Sequence, residues 1–580
     1  MSGQEPIIEL KNFTFRYRAQ KKPTLHDINL RVMRGEKILI AGPSGSGKST
    51  LGSCLNGLIP FSNEGDMTGE LTIKSKKPVS VFQLSDIVGT VLQDTDGQFV
   101  GLSSAEDIAF ALENSCLPTD EMKTRVLEAA KLVGAEGYLK HSPQRLSGGE
   151  KQRVSMAGVL VGNAEILLLD EPLAALDPMT GKLAVALIDE IATKKDCTVI
   201  IIEHRIEDVL FKQMDRVILF DNGRIIADGP PDEVVVSPIL REVGLREPLY
   251  ISALKCVDVD VKSEDKPGRL ETLLLTEREK EKVRLWSTEY IDEKDEINSE
   301  DYACKFDNKP TPLLEVRSVS FVYPETEKHA LKDIAFSLYP GEMTAIVGAN
   351  GAGKSTLAKL LAGFETAEKG EIFFNGENMS DWTIPECAQR IGYVMQNPNQ
   401  MICKPMIFDE VALGLRVRGV PENEVEERVS QALEVCGLTR FIKWPISALS
   451  YGQKKRVTIA DALVLDPQIL ILDEPTAGQD WRHYTDIMEF LVELNQRGIT
   501  ILMITHDMHL CLEYAKRALV FTAGELIADL PAYELLSDPV LAKRAGLRET
   551  SLYDLANICD IDNPKALVRA YIENERRASK

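Results

Sequence analysis

The chain has no closely spaced pair of cysteines. Its ten cysteines, from Cys54 to Cys559, are scattered and never form C-x-x-C. That spacing supports neither a zinc site nor an iron–sulfur cluster, and it reads as reduced, mostly buried cytosolic thiols. Positive charge is not in excess either: 67 Lys and Arg stand against 89 Asp and Glu, a formal balance of −22. Broad affinity for nucleic acid or for anionic lipid is therefore not expected, although docking on a membrane protein needs only a local patch. No apolar run approaches the ~20 residues that a membrane-spanning helix needs. The start, MSGQEPIIELKN, lacks the basic-then-apolar pattern of a signal peptide. If this chain drives transport, the channel must come from other chains.

What is present is a long internal repeat. GPSGSGKST (42–50) recurs as GANGAGKST (348–356), LSGGEKQRV (146–154) as LSYGQKKRV (449–457), and ILLLDEP (166–172) as ILILDEP (469–475). The offsets are 306, 303 and 303 residues, a duplicated domain and not a solenoid period. Alternation around Phe13, Phe15 and Tyr17, and around Val319, Phe321 and Tyr323, predicts strands with one buried face. KILIAGP, ILLLD and TVIIIEH, with their counterparts MTAIVGA, ILILD and TILMITH, are continuous apolar runs ending in polar residues. Such runs fit parallel strands buried on both faces, with functional groups at their carboxyl ends. Residues near 262–309 are dense in Glu, Lys and Asp and read as a solvated linker with room for a short hairpin, and the tail IENERRASK also reads as solvated.

The first chemical motif is the phosphate loop, G-x-x-x-x-G-K-[ST], at Gly42–Ser49 and Gly348–Ser355. Its two copies comprise Gly42, Pro43, Ser44, Gly45, Ser46, Gly47, Lys48, Ser49 and Thr50, and Gly348, Ala349, Asn350, Gly351, Ala352, Gly353, Lys354, Ser355 and Thr356. The glycines let backbone N–H groups curl around phosphates, and the following helix turns its positive end to the same anion. Lys48 and Lys354 should reach the β- and γ-phosphates of ATP, while Ser49 and Ser355 should ligate Mg²⁺. Asp170 and Asp473 end apolar strands, where a carboxylate can hold Mg²⁺ through water, and Glu171 and Glu474 follow, placed to polarise the attacking water.

A phosphate loop alone leaves kinases, GTPases, helicases and motors open, and LSGGE and LSYGQ decide among them. With these segments upstream of ILLLD and ILILD, the sequence resembles the ATP-binding-cassette (ABC) ATPases, whose signature is usually LSGGQ. The resemblance covers about 1–247 and 313–545, leaving 248–312 as a charged linker and 546–580 as a C-terminal extension. It implies an α/β fold of two P-loop NTPase domains, each a mainly parallel core sheet with an antiparallel β subdomain and a helical subdomain. It places Gln93 and Gln396 at Q-loops, where they contact ATP and Mg²⁺, Asp177 and Asp480 at D-loops, and His204 and His506 at catalytic switch positions. Tyr17 and Tyr323 match the aromatic that stacks on adenine. It further implies two composite ATP sites: Ser450, Tyr451 and Gly452 complete the Lys48 site, and Ser147, Gly148 and Gly149 complete the Lys354 site. Both keep Lys, Glu and His, so both are expected to hydrolyse ATP. Glu150 replaces the usual Gln, and Tyr451 replaces a Gly whose backbone angle is expected to be unusual.

VLQDTDGQFVGLSSAEDIAFALEN (91–114), VMQNPNQMICKPMIFDEVALGL (394–415) and IIEHRIEDVL (201–210) resemble the ATPase component of energy-coupling factor (ECF) vitamin importers. That family's fused form is often associated with thiamine or its hydroxymethylpyrimidine precursor. The resemblance implies a membrane coupling subunit, a small substrate-binding membrane subunit, and a peripheral position on the cytoplasmic side of the cell membrane. Phe99, Val100, Met401 and Ile402, beside the Q-loops, are candidate contacts to the coupling subunit. Two alternatives stay open: the tandem ATPase of a sugar-type importer, and a soluble ribosome-associated ABC ATPase, which would want a basic interdomain arm.

Overall fold

The computed structural model describes residues 5–18, 20–92, 96–162, 164–174, 176–288, 311–324, 329–476, 481–536, 538–547 and 550–578. The chain divides into two compact units, one of residues 1–282 and 480–482, the other of 283–479 and 483–580.

In the first unit, β1 (Ile8–Tyr17), β2 (Leu25–Val32), β3 (Lys37–Ala41), β4 (Gly65–Ile73), β5 (Val88–Val91), β6 (Ile166–Asp170), β7 (Thr198–Ile202), β8 (Arg216–Asp221) and β9 (Arg224–Gly229) build two sheets. One is antiparallel, in the order β2-β1-β4. The other runs β5-β6-β7-β3-β8-β9, parallel except for its last pair. Continuous apolar runs form these central strands because each face has its own core. Ile38, Ile40, Ile166, Leu168, Ile200 and Ile202 pack toward β1 and β2. Their neighbours Leu39, Ala41, Leu167, Leu169, Val199 and Ile201 pack into a second core, shared with helices. Three of those helices, Ser104–Asn114, Thr119–Val133 and Gly148–Leu160, pack on one another. Ser103 and Glu106 start the first with a reciprocal capping box.

The second unit repeats this plan. β10 (Leu314–Val322), β11 (His329–Leu338), β13 (Lys369–Phe374) and β14 (Glu377–Asn378) form the antiparallel sheet in the order β11-β10-β13-β14. β12 (Met343–Gly348), β15 (Ile391–Val394), β16 (Ile469–Asp473), β17 (Thr500–Ile504), β18 (Arg517–Thr522) and β19 (Glu525–Pro531) form the sheet β15-β16-β17-β12-β18-β19. Helices Ile407–Val417, Glu422–Val435 and Tyr451–Leu463 supply its helical layer.

Two expectations are corrected here. The charged stretch is not a bare solvated linker. Within the span 248–312, helix Leu249–Cys256 is almost wholly buried. Leu249 N donates to Glu207 Oε2 at 2.9 Å, and the Tyr250 hydroxyl donates to Pro267 O at 2.6 Å. Between 257 and 288 there is no hairpin among the described residues. Instead a helix, Glu277–Thr288, buries Val283 and Trp286 through its few apolar positions. Charge density hid these anchors, because one buried tryptophan outweighs several solvated lysines in burial energy. The rest of the stretch, 289–310, lies outside the described residues. The tail IENERRASK continues a helix, Pro564–Ala578, whose buried residues Leu567, Val568, Ala570 and Tyr571 precede it; within the tail Ile572 is buried and Glu573, Asn574 and Glu575 are partly exposed. Leu254, fully buried on helix Leu249–Cys256, tests this correction. Leu254→Ala is expected to lower the free energy of unfolding by about 2–4 kcal/mol in denaturant titrations. A residue on a solvated linker would shift it by less than about 0.5 kcal/mol.

Candidate functional site

Because the central strands are apolar throughout, polar side chains collect where the strands end. Beyond β3 the chain turns through Gly42–Gly47 into helix Lys48–Leu55, and beyond β12 through Gly348–Gly353 into helix Lys354–Leu361. Glycine is required at Gly42, where a Cβ would lie 2.2 Å from Phe220 O, and at Gly47, which has φ 105°. Pro43, Ser44, Gly45 and Ser46 complete the first curl, and Ala349, Asn350, Gly351 and Ala352 the second. Lys48 Nζ donates to Gly42 O at 2.7 Å and to Pro43 O at 2.8 Å. Lys354 Nζ does the same to Gly348 O at 2.8 Å and Ala349 O at 2.9 Å. Both ammonium groups therefore sit inside the curl of their own loop. The Tyr17 hydroxyl is 3.4 Å from Thr50 Oγ1 and that of Tyr323 3.2 Å from Thr356 Oγ1, which brings each predicted aromatic beside its loop.

The strand ends across from each loop carry the carboxylates. Ser49 Oγ donates to Asp170 Oδ1 at 3.2 Å, and Tyr393, with no aromatic counterpart in the first unit, donates its hydroxyl to Asp473 Oδ2 at 3.2 Å. Burial pushes the Asp473 carboxyl up, and the Ser355 hydroxyl bonded to it pulls it down. A serine hydroxyl beside an aspartate is a hard-oxygen set that suits Mg²⁺ bound with waters and phosphate oxygens. Glu171 and Glu474 come next, and both adopt the left-handed region, φ 47° and 46°. Their amides donate to Ile202 O and Ile504 O, each at 2.9 Å, so the ends of β7 and β17 hold these strained turns. Burial pushes the Glu171 carboxyl up to about 7, with the charges of Glu203 and Asp170 adding to the effect and those of Lys48 and Arg205 opposing it.

His204 and His506 follow the same strands. His506 Nδ1 lies 2.7 Å from Glu474 Oε1, whereas His204 Nδ1 lies 3.1 Å from Glu203 Oε1. In the signature segments, the Ser147 backbone N–H and hydroxyl both donate to Glu150 Oε2, at 2.8 and 2.9 Å. In the second unit, Gln453 N donates to Ser450 Oγ at 3.3 Å. Tyr451 corrects the expectation of an unusual backbone angle. It is the first residue of helix Tyr451–Leu463, has no positive φ, and donates its hydroxyl to Gln396 O at 3.2 Å. Any residue can start a helix there, so the glycine of the first copy, Gly148, is not a conformational necessity. Gly149 does have close company, since a Cβ would lie 2.6 Å from Thr180 Cγ2. Gly452 sits in the first turn of the second signature helix. Asp177 caps helix Pro178–Lys195 by accepting from Thr180 N at 2.9 Å. Gln93 and Asp480 lie outside the described residues.

Sequence reasoning missed Lys455. It is 1% exposed and donates to Met395 O and Gln396 O at 2.9 and 2.8 Å. Burial pushes its ammonium down to about 8, against the pull of Asp473 and Glu474. Its counterpart is Gln152, whose Nε2 donates to Pro172 O at 2.7 Å. The difference is visible in the aligned repeats, but nothing in either copy says that the position is buried.

Two phosphate loops, each facing an Asp-Glu pair at the end of the next strand but one, define a tandem P-loop nucleoside triphosphatase. Comparison with known proteins narrows this. Residues 25–174 and 331–477 match the family model described as ABC transporter, and residues 237–321 match one described as ATP-binding cassette cobalt transporter. An ABC transporter ATP-binding protein of Clostridium perfringens is 52% identical over 577 residues, 99% of each chain. One of Enterococcus faecalis is 50% identical over 580 residues, again 99% of each. A solved structure of cbiO1 from Clostridium perfringens, part of the ABC transporter complex cbiONQ, is 34% identical; it covers 43% of this chain and 100% of its own, with a TM-score of 0.38. The chain belongs to the ABC transporter ATP-binding protein family; it binds ATP and is an ATPase.

The Glu171 environment has a measurable consequence in the nucleotide-free chain. A carboxyl raised from 4.5 to about 7 binds its proton more tightly folded than unfolded, so its charge costs stability increasingly as pH rises across that window. Glu171→Gln removes this cost. The variant should match its parent near pH 4 and gain on the order of 1–3 kcal/mol over it by pH 8 in denaturant titrations. A gap independent of pH would contradict the assigned environment.

Proposed function

We propose that this chain is the ATP-hydrolysing subunit of an ECF-type importer, energising uptake of a vitamin or similar micronutrient through separate membrane subunits. The observation that carries the partner reading is the loop after the first Q-loop. Val100 N and Gly101 N donate to Asp107 Oδ1 at 2.8 and 3.0 Å, and Leu102 N donates to Glu106 Oε2 at 3.1 Å. The backbone is thus fixed by carboxylates while Val100 and Leu102 stand 63% and 86% exposed. A rigid loop presenting bare aliphatic side chains favours an apolar partner segment. Of the other candidate contacts, Phe99, Met401 and Ile402 are half-buried, and Leu102 is the stronger addition. No helix among the described residues is long and apolar enough to cross a membrane.

In the proposed chemistry, Lys48 and Lys354 leave their loop carbonyls for the β- and γ-phosphates of ATP. Ser49 with Asp170, and Ser355 with Asp473, would hold Mg²⁺ with Gln93 and Gln396 at its margin. The ion would supply charge neutralisation between the phosphates. Glu171 and Glu474 orient the attacking water and accept its proton, and a base near 7 is well matched to that task. His204, His506 and the signature residues Ser147, Gly149, Ser450 and Gly452 donate to the γ-phosphate. Tyr17 and Tyr323 stack on adenine. Similarity of 237–321 to a family described by cobalt transport supports the ECF class. It sets a transition-metal ion beside thiamine or hydroxymethylpyrimidine as the cargo to be distinguished. Purifying the assembled complex and identifying its membrane chains and bound small molecule or metal decides among them; recovery with ribosomes, or with a sugar importer's channel, would sink the proposal.

Two outcomes follow. Glu171→Gln with Glu474→Gln should reduce ATP turnover to below about 1% while ATP binding stays within a few-fold of the parent. Leu102→Asp should weaken copurification of the membrane subunit by about tenfold or more, whereas undiminished recovery would remove the loop from the docking surface.

A further inference from the structure

The chain has seven histidines, and the two at the ends of β7 and β17 are held in different ways. In the second unit the ring pairs with Glu474, the carboxylate after Asp473, at 2.7 Å. The residue before it, Thr505, is fully buried, and its hydroxyl accepts from Asp507 N at 2.9 Å, closing the turn. In the first unit the same position is Glu203, 0% exposed. Glu203 Oε1 accepts from His204 N at 2.9 Å and Arg205 N at 3.2 Å, and lies 3.1 Å from His204 Nδ1. Its other oxygen, Oε2, is shielded from solvent and has no hydrogen-bond partner among the described residues.

A carboxylate is a costly way to close a turn that a threonine closes in the other copy. Buried ionised groups are disfavoured unless donors converge on them, and here one oxygen goes unpaired. The arrangement is therefore under a demand that turn closure does not explain, and the imidazole of His204, its Nδ1 3.1 Å from Oε1, stands beside that carboxylate. We propose that Glu203 is a positioning residue of the first ATP site: it grips His204 through Nδ1, so that the ring meets the terminal phosphate of ATP through Nε2. The second site does this with Glu474 itself. The two sites then reach one histidine orientation by different carboxylates, one outside the Walker-B pair and one within it. This rests on the reading of His204 as a γ-phosphate contact given above.

A double-mutant cycle on the full-length chain tests it. His204→Ala and Glu203→Gln should each lower kcat by at least about twofold, as expected when one of two sites is impaired, with KM for ATP changed less than twofold. The double variant should be no slower than His204→Ala alone, because Glu203 acts through that ring. Glu203→Thr, which restores the turn-closing hydroxyl of the second unit, should fold like the parent and still lose the same turnover. In histidine ¹⁵N spectra, Glu203→Gln should shift the ring resonances that vanish in His204→Ala and leave those of His506 in place. Parent-like turnover in Glu203→Gln, a further loss when it is added to His204→Ala, or an unmoved His204 ring would each overturn the inference. Parent-like turnover in His204→Ala would instead remove the reading beneath it, whatever the spectra of Glu203→Gln show.

Discussion

Burial of the central sheets on both faces is the constraint from which the site follows. Strands β3, β6 and β7 send alternate side chains into two separate cores, so none of their interior positions can carry a charge. Loop glycines, paired carboxylates and histidines are confined to the carboxyl ends, where three neighbouring strands deliver them within reach of one another. The second unit obeys the same constraint with β12, β16 and β17. Strain is concentrated there as well: Glu171 and Glu474 occupy a backbone region that favours glycine, held by hydrogen bonds from their amide N–H groups to the adjacent strand.

On this common scaffold the two copies are furnished differently. Glu203 stands where the second unit has Thr505, Gln152 where it has Lys455, Glu150 where it has Gln453, and Thr90 where it has Tyr393. The first carboxylate pair accordingly has an extra buried acid nearby, and the second a buried ammonium. The two copies keep the same phosphate loops, Asp-Glu pairs and histidines while their surroundings differ.

Motifs and strand runs were readable in the sequence because each depends on local rules. A phosphate loop needs its glycines at fixed spacing, and a doubly buried strand needs an unbroken apolar run. Phe13, Phe15, Val319 and Phe321 are buried as their alternation indicates. What escaped depends on tertiary packing. Trp286 and Val283 anchor a segment whose composition looks solvated, and Tyr451 begins a helix where the motif suggested a special turn. Lys455 is buried although lysine is ordinarily a surface residue, because two backbone carbonyls of another segment receive it. No sequence window contains both the lysine and those carbonyls.

Lys455 also settles what its helix is mechanically attached to. The 13-residue helix Tyr451–Leu463 is a rod about 20 Å long, and its first two turns are riveted to the carbonyl of Gln396 by Lys455 and the Tyr451 phenol. The loop and the rod therefore share two hydrogen bonds through one carbonyl, besides the one from Lys455 to Met395 O. The matching rod of the first unit, Gly148–Leu160, is riveted by Gln152 to Pro172, one residue past Glu171. One helix is tied to the loop at Gln396 and the other to the turn after the Asp170-Glu171 pair, so the two halves couple their helices to different segments.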